Sequence, residues 1–143
     1  MIPQLTAALQ GGAPLVYIHS PEEERILREL RQIAEQDGRP LRTWSCLSGL
    51  QHEMDETRDA ATAIITALQH PQSEILVFLD LSPFLHEPHT IRALREAYAE
   101  SKNVKGRVFV LLCADLVLPD SLMALPKIWV ILKGMRPMTM TDK

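Results

Sequence analysis

Few residues of this chain have the type and spacing to do chemistry. Asp80 closes the apolar run Ile75-Leu76-Val77-Phe78-Leu79. A strand of that kind ending on an acid is how many proteins hold the magnesium of a bound nucleoside triphosphate. The glutamate that should follow as catalyst is replaced by Leu81. One carboxylate without a phosphate partner holds magnesium poorly. The ordinary task of such an acid is to cap the turn after it, here Leu81-Ser82-Pro83. Asp80 is thus the one position where a divergent nucleotide or metal site could stand.

A phosphate loop would be expected after the first apolar run, Leu15-Val16-Tyr17-Ile18-His19. It needs the spacing G-x-x-x-x-G-K-[ST], whose amides and lysine hold the phosphates. The segment here is Ser20-Pro21-Glu22-Glu23-Glu24-Arg25, without glycine or lysine. Proline has no amide hydrogen, and three glutamates stand where phosphates would come. Those acids suit the positive end of a helix. The other reactive types are no better placed. His86 and His89 could face one metal from a helix, but Pro88 lies between them and no third ligand is spaced for it. Cys46 and Cys113 each lie in or just after an apolar run, so buried, inert thiols are expected. Leu47-Ser48-Gly49 has one glycine and does not make a nucleophile elbow. No cofactor and no metal is expected.

The elements that would carry these residues alternate. Five runs read as strands: 15–19, 41–45, 75–80, 108–112 and 128–132. Most are apolar on both faces, the mark of strands covered by helices on two sides. Stretches 21–37, 57–69 and 89–102 carry apolar residues at helical spacing, as in Ile26, Leu30, Ile33 and Ala34. A leading helix at about 2–10 ends at Gly11-Gly12, and a short turn covers 119–124. Ser20-Pro21-Glu22-Glu23 has the form of a capping box. Asp37-Gly38-Arg39-Pro40 is a helix stop. Repeated strand–helix–strand units imply right-handed crossovers and a mostly parallel sheet in a three-layer α/β/α domain. Val16, Ile18, Leu76, Phe78, Val110 and Ile131 are expected in its core.

Composition narrows the function classes. The chain has 143 residues, with 15 Lys+Arg against 18 Asp+Glu, a net charge of −3. Nucleic-acid binding needs a surplus of cations, so it is not expected. No run approaches the roughly 18–20 apolar residues that span a bilayer, so no membrane partner is expected. Two cysteines make no disulfide framework, and a reducing, cytoplasmic location fits. One domain is expected over 1–134, with 135–143 as a tail or linker.

The segment from Pro14 to Arg25 resembles the opening of a family of AAA-type ATPase-like proteins, found as conserved reading frames in cyanobacteria and plastids and in other bacteria. The likeness continues through Arg39-Pro40-Leu41 to Trp44, through Ile75 to Asp80 with Phe84-Leu85, and through Leu118-Pro119-Asp120. It spans roughly residues 2–137. The resemblance implies a leading, P-loop-like domain without a working phosphate loop, followed by a separate catalytic module. It implies a five-stranded parallel sheet in the order 5-1-4-3-2, numbered along the chain. ATPase activity does not carry over to this chain, because the family's catalytic residues belong to the other module.

A non-catalytic regulatory or assembly domain is therefore expected. Its partner would be a downstream AAA ATPase module or a second copy of the chain. The expected contact is the stiff, proline-bearing 82–89 edge, with Phe84, Leu85 and His86. Two alternatives stand beside it: a divergent enzyme or nucleotide binder near Asp80, and a receiver-like signalling module with Glu22–Glu24 and Lys133 in imitation of its acids and lysine.

Overall fold

The structure, a computed structural model, describes residues 3–51, 53, 55–132 and 138–139. The chain runs α1 (Pro3–Gln10), β1 (Leu15–His19), α2 (Glu23–Asp37), β2 (Leu41–Ser45), β3 (Gly49–Leu50), α3 (Ala60–Leu68), β4 (Ile75–Leu79), α4 (Pro88–Glu100), β5 (Val108–Cys113), α5 (Asp120–Met123), β6 (Ile128–Leu132) and β7 (Met138–Thr139). All strands join one sheet in the order β3-β2-β4-β5-β1-β6-β7. The five long strands are parallel and keep the expected sequence from β6 to β2.

The sheet is nevertheless mixed, and it is not five-stranded. Two-residue strands pair antiparallel at its edges, β3 on β2 and β7 on β6. Two residues of the expected tail, Met138 and Thr139, thus belong to the sheet; 133–137 and 140–143, with Lys133, lie outside the described residues. The β3 addition has a local cause. Gly49 turns the chain at φ +72, and a Cβ there would meet Thr57 Oγ1 at 2.7 Å. Thr57 then holds both sides of the hairpin. Its hydroxyl accepts from Leu50 N (2.9 Å), and its carbonyl accepts from Trp44 Nε1 (2.6 Å). Short strands of this kind cover an edge that would otherwise present unpaired amides.

Period-two alternation divides the strands between two cores. Leu15, Tyr17, Trp44, Leu76, Phe78, Phe109 and Leu111 face α3, α4 and α5. Val16, Ile18, Ile75, Val77, Val108 and Val110 face α1 and α2. The six residues expected in the core are all buried there. Trp44 lies between Phe78, at 5.4 Å, and the edge of Phe84, at 6.0 Å. Trp129 is half-buried beside the second core. At the amino ends of β2 and β4, Arg42 grips the fully buried Glu74 with two bonds, of 2.9 and 3.1 Å.

The helix signals are partly kept. Gly38 takes the left-handed conformation, and Arg39 N donates to Ala34 O, so α2 stops as expected. The capping box does not form. Ser20 N donates to Cys113 O and prolongs the β1–β5 ladder, which delays the helix. Glu22 becomes the residue before the first turn, without a side-chain cap, while Ser20 Oγ accepts from Glu22 N. Among the described residues no helix is long and apolar enough to cross a membrane.

Leu76 has no exposed surface and belongs to the core against α3 and α4. Leu76→Ala should destabilise the domain by about 2–5 kcal/mol in urea denaturation.

Candidate functional site

In an open parallel sheet the loops after the strands gather at one edge, and ligands bind there. The strand order brings the loops after β2, β4, β5 and β1 side by side. The first three residues of the loop after β1 offer no free amide. The amide of Ser20 is used in the ladder, Pro21 has none, and the amide of Glu22 is bonded to Ser20 Oγ. Glu22 pairs with Arg25 at 2.9 Å, and Glu23 and Glu24 are exposed.

Asp80 follows β4 with φ 55, the one non-glycine positive φ among the described residues. Aspartate tolerates this left-handed geometry better than most residues. Its amide donates to Leu112 O, while its side chain is exposed. Asp80 therefore turns the chain out of the sheet through its backbone, and the turn over Ser82–Phe84 that follows has no side-chain cap. Among the described residues no group of three or more His, Cys, Asp or Glu could hold a metal.

The segment after Asp80 corrects the expected contact surface. Leu85 has no exposed area and is a core residue. Phe84 is half-buried with its ring edge on Trp44. Only His86, of the three named residues, is exposed. Pro83 starts a single helical turn over Ser82–Phe84, and this turn directs Phe84 and Leu85 inward toward the space above α4. Cys46 is likewise exposed rather than buried, because β2 ends at Ser45 and the hairpin turn begins there.

Different residues supply the apolar surface at this edge. Leu47, after β2, is 82% exposed; Leu116 and Val117, after β5, are 49% and 41% exposed. The loop after β5 is not loose. Tyr17, fully buried in β1, donates its hydroxyl hydrogen to Asp115 O and accepts from Val117 N at 3.0 Å. Two polar groups of the loop backbone are thus bonded from below, and the side chains of Leu116 and Val117 are left to solvent. Burial raises the Tyr17 phenol well above its usual range, and it raises the Cys113 thiol as well. Tyr17 stays protonated and keeps its donor role. The sequence carried a signal for this loop in Ala114-Asp115-Leu116-Val117-Leu118-Pro119, an apolar stretch that continues past a strand and ends on proline.

Charge completes the edge. Among the described residues, Glu22, Glu23, Glu24, Asp80, Asp115 and Asp120 lie on loops or helix starts after strands, with Arg25 beside the first three. These features define a three-layer α/β domain whose carboxyl edge carries several acids and exposed apolar side chains. The family follows from comparison: the model of the SpoVK-like AAA ATPase, N-terminal domain, matches residues 1–130, and the chain belongs to that family. Comparison with curated proteins gives no match.

The Tyr17 clamp makes a pH-dependent contribution. The folded chain holds the phenol proton more tightly than the unfolded chain does, so the contribution is full below about pH 10 and falls as pH rises beyond it. Tyr17→Phe should cost about 1–3 kcal/mol at neutral pH, because it leaves the Val117 amide and the Asp115 carbonyl without their partner. It should also reduce the loss of stability between neutral pH and about pH 11. Urea denaturation across that range measures both effects.

Proposed function

We propose that this domain is the non-catalytic docking module of an AAA ATPase, acting through the carboxyl edge of its sheet. The observation that carries the reading is the pairing of two facts at one edge. The position of a phosphate loop is filled by a proline and three glutamates. The neighbouring loops hold Leu47, Leu116 and Val117 outward, the latter two on a loop pinned by Tyr17. A P-loop-like ancestry without a working phosphate loop accounts for the first fact. Protein contact accounts for the second. A pinned loop loses little conformational entropy on binding, which favours association.

The edge suits a segment of the ATPase portion that presents apolar side chains flanked by Lys or Arg. Apolar anchors supply the affinity, and the acidic rim selects and steers a basic partner. His86 and the exposed Pro83 border this surface. The role is regulatory or assembling, in a cytoplasmic ATPase, and the chemistry belongs to the other module.

The test is binding to the ATPase portion, measured by calorimetry or sedimentation. Leu116→Ser with Val117→Ser should weaken association by at least about tenfold, the scale of losing an interface anchor. Stability should change by no more than about 0.5 kcal/mol, since both positions are on the surface. Unchanged association in the folded variant would contradict the proposal. The domain alone should give no heat with magnesium-ATP, since its amide nest is missing and its glutamates repel the triphosphate. A micromolar dissociation constant would favour a nucleotide site instead.

A further inference from the structure

The opposite edge of the sheet holds a pocket with the reverse charge. It lies where the strands begin, between the turn before β1 and the turn before β5. Ser101, Lys102, Lys105, Gly106 and Arg107 line one side, and Gly12 and Pro14 the other. Its volume is about 270 Å³. That is near the lower end for small-molecule sites and suits a small ion with little attached to it.

The turn that presents these cations is held in place. Gly106 has φ +87, and a Cβ at this position would stand 2.2 Å from Ser73 Oγ. Its carbonyl accepts from Arg39 Nη1 at 2.9 Å. No residue but glycine fits this turn without displacing its neighbour. Lys102 and Lys105, just before it in the chain, are exposed.

Arg107 is the unusual member. It is 4% exposed, and its Nη1 is buried without a hydrogen-bond partner. Its guanidinium lies over the Phe109 ring at 5.9 Å from the centroid. Glu74 and Glu100 act on it through their fields, but neither bonds this nitrogen: Glu74 bonds Arg42, and Glu100 accepts from Asn103 Nδ2. A buried donor left without a partner is costly. An anion in the pocket that Arg107 lines would add negative charge beside it, with Lys102, Lys105 and the Ser101 hydroxyl as direct partners.

We propose that this pocket binds a phosphate-type dianion, either free phosphate or a phosphate monoester. Two ammonium groups match its charge, and lysine is a common phosphate ligand. The site is distinct from the docking edge, because the two lie at opposite ends of the parallel strands. It is also separate from any triphosphate site after β1.

Amide NMR of the whole chain tests this. Sodium phosphate and glycerol 3-phosphate are titrated separately at constant ionic strength into the unaltered chain and into Lys102→Ala/Lys105→Ala. Both lysines are exposed, so the variant should fold. The unaltered chain should show saturable shifts confined to residues around 12–14 and 101–107, at millimolar concentration or below. The variant should bind at least about tenfold more weakly. Tighter binding of the ester would assign the ligand as a phosphorylated metabolite or group; tighter binding of phosphate would assign the free ion. Shifts that do not saturate, that appear equally at lysines elsewhere, or that persist unchanged in the variant would overturn the proposal.

Discussion

The hydroxyl of Tyr17 connects the middle of the sheet to the loop after β5. This bond depends on strand order. β1 lies between β5 and β6 in parallel register, with Tyr17 opposite Leu111. Tyr17 is on the face covered by α3 to α5 and reaches the backbone of 115–117 from beneath. The phenol is fully buried and stays protonated, so it serves as donor and acceptor at once. The outward placement of Leu116 and Val117 follows from it. A loop bonded from below exposes its side chains without being free to collapse over the core.

Parallel strands also separate two sets of loops along the molecule. Every strand-to-helix loop lies at one edge and every helix-to-strand loop at the other. Acids crowd the first edge, at Glu22–Glu24, Asp80, Asp115 and Asp120. Arg39, Lys102, Lys105, Arg107 and Lys127 lie at the second, together with Asp37, Glu74 and Glu100. The exposed Lys102 and Lys105 give one pocket of that edge a local positive field. Such a field orients a charged partner during approach and changes association rates more than it changes fold stability. The two proposed surfaces take opposite charges for this reason.

Much of this architecture was legible from periodicity. The five long strands, the main helices and the six named core residues came from apolar spacing, and the helix stop at Gly38 came from turn chemistry. The short strands β3 and β7 were not readable, since two residues carry no period; β3 depends on Thr57 reaching Leu50 and Trp44. The capping box failed because a tertiary bond, Ser20 N to Cys113 O, outweighed a local preference. At the candidate site, the strand end at Asp80 is readable from the apolar run before it, but its left-handed backbone is not. Leu85 was misplaced because an apolar residue in a proline-bearing loop looks the same whether it points in or out. The exposure of Leu116 and Val117 was not readable either, because it depends on the Tyr17 bonds beneath the loop, which no local pattern discloses. Arg107 gave no sequence signal, because a lone arginine before a strand does not disclose its burial.

We propose that this domain acts by contact at its carboxyl edge and not by nucleotide chemistry. Hydrogen–deuterium exchange of the domain, with and without the ATPase portion and with and without magnesium-ATP, tests it most directly. Contact at this edge predicts slower exchange in 46–48 and 114–118 when the ATPase portion is present, and no change in 20–25 when nucleotide is added to the domain alone. Protection of 20–25 by nucleotide, with 46–48 and 114–118 unaffected by the ATPase portion, would contradict it.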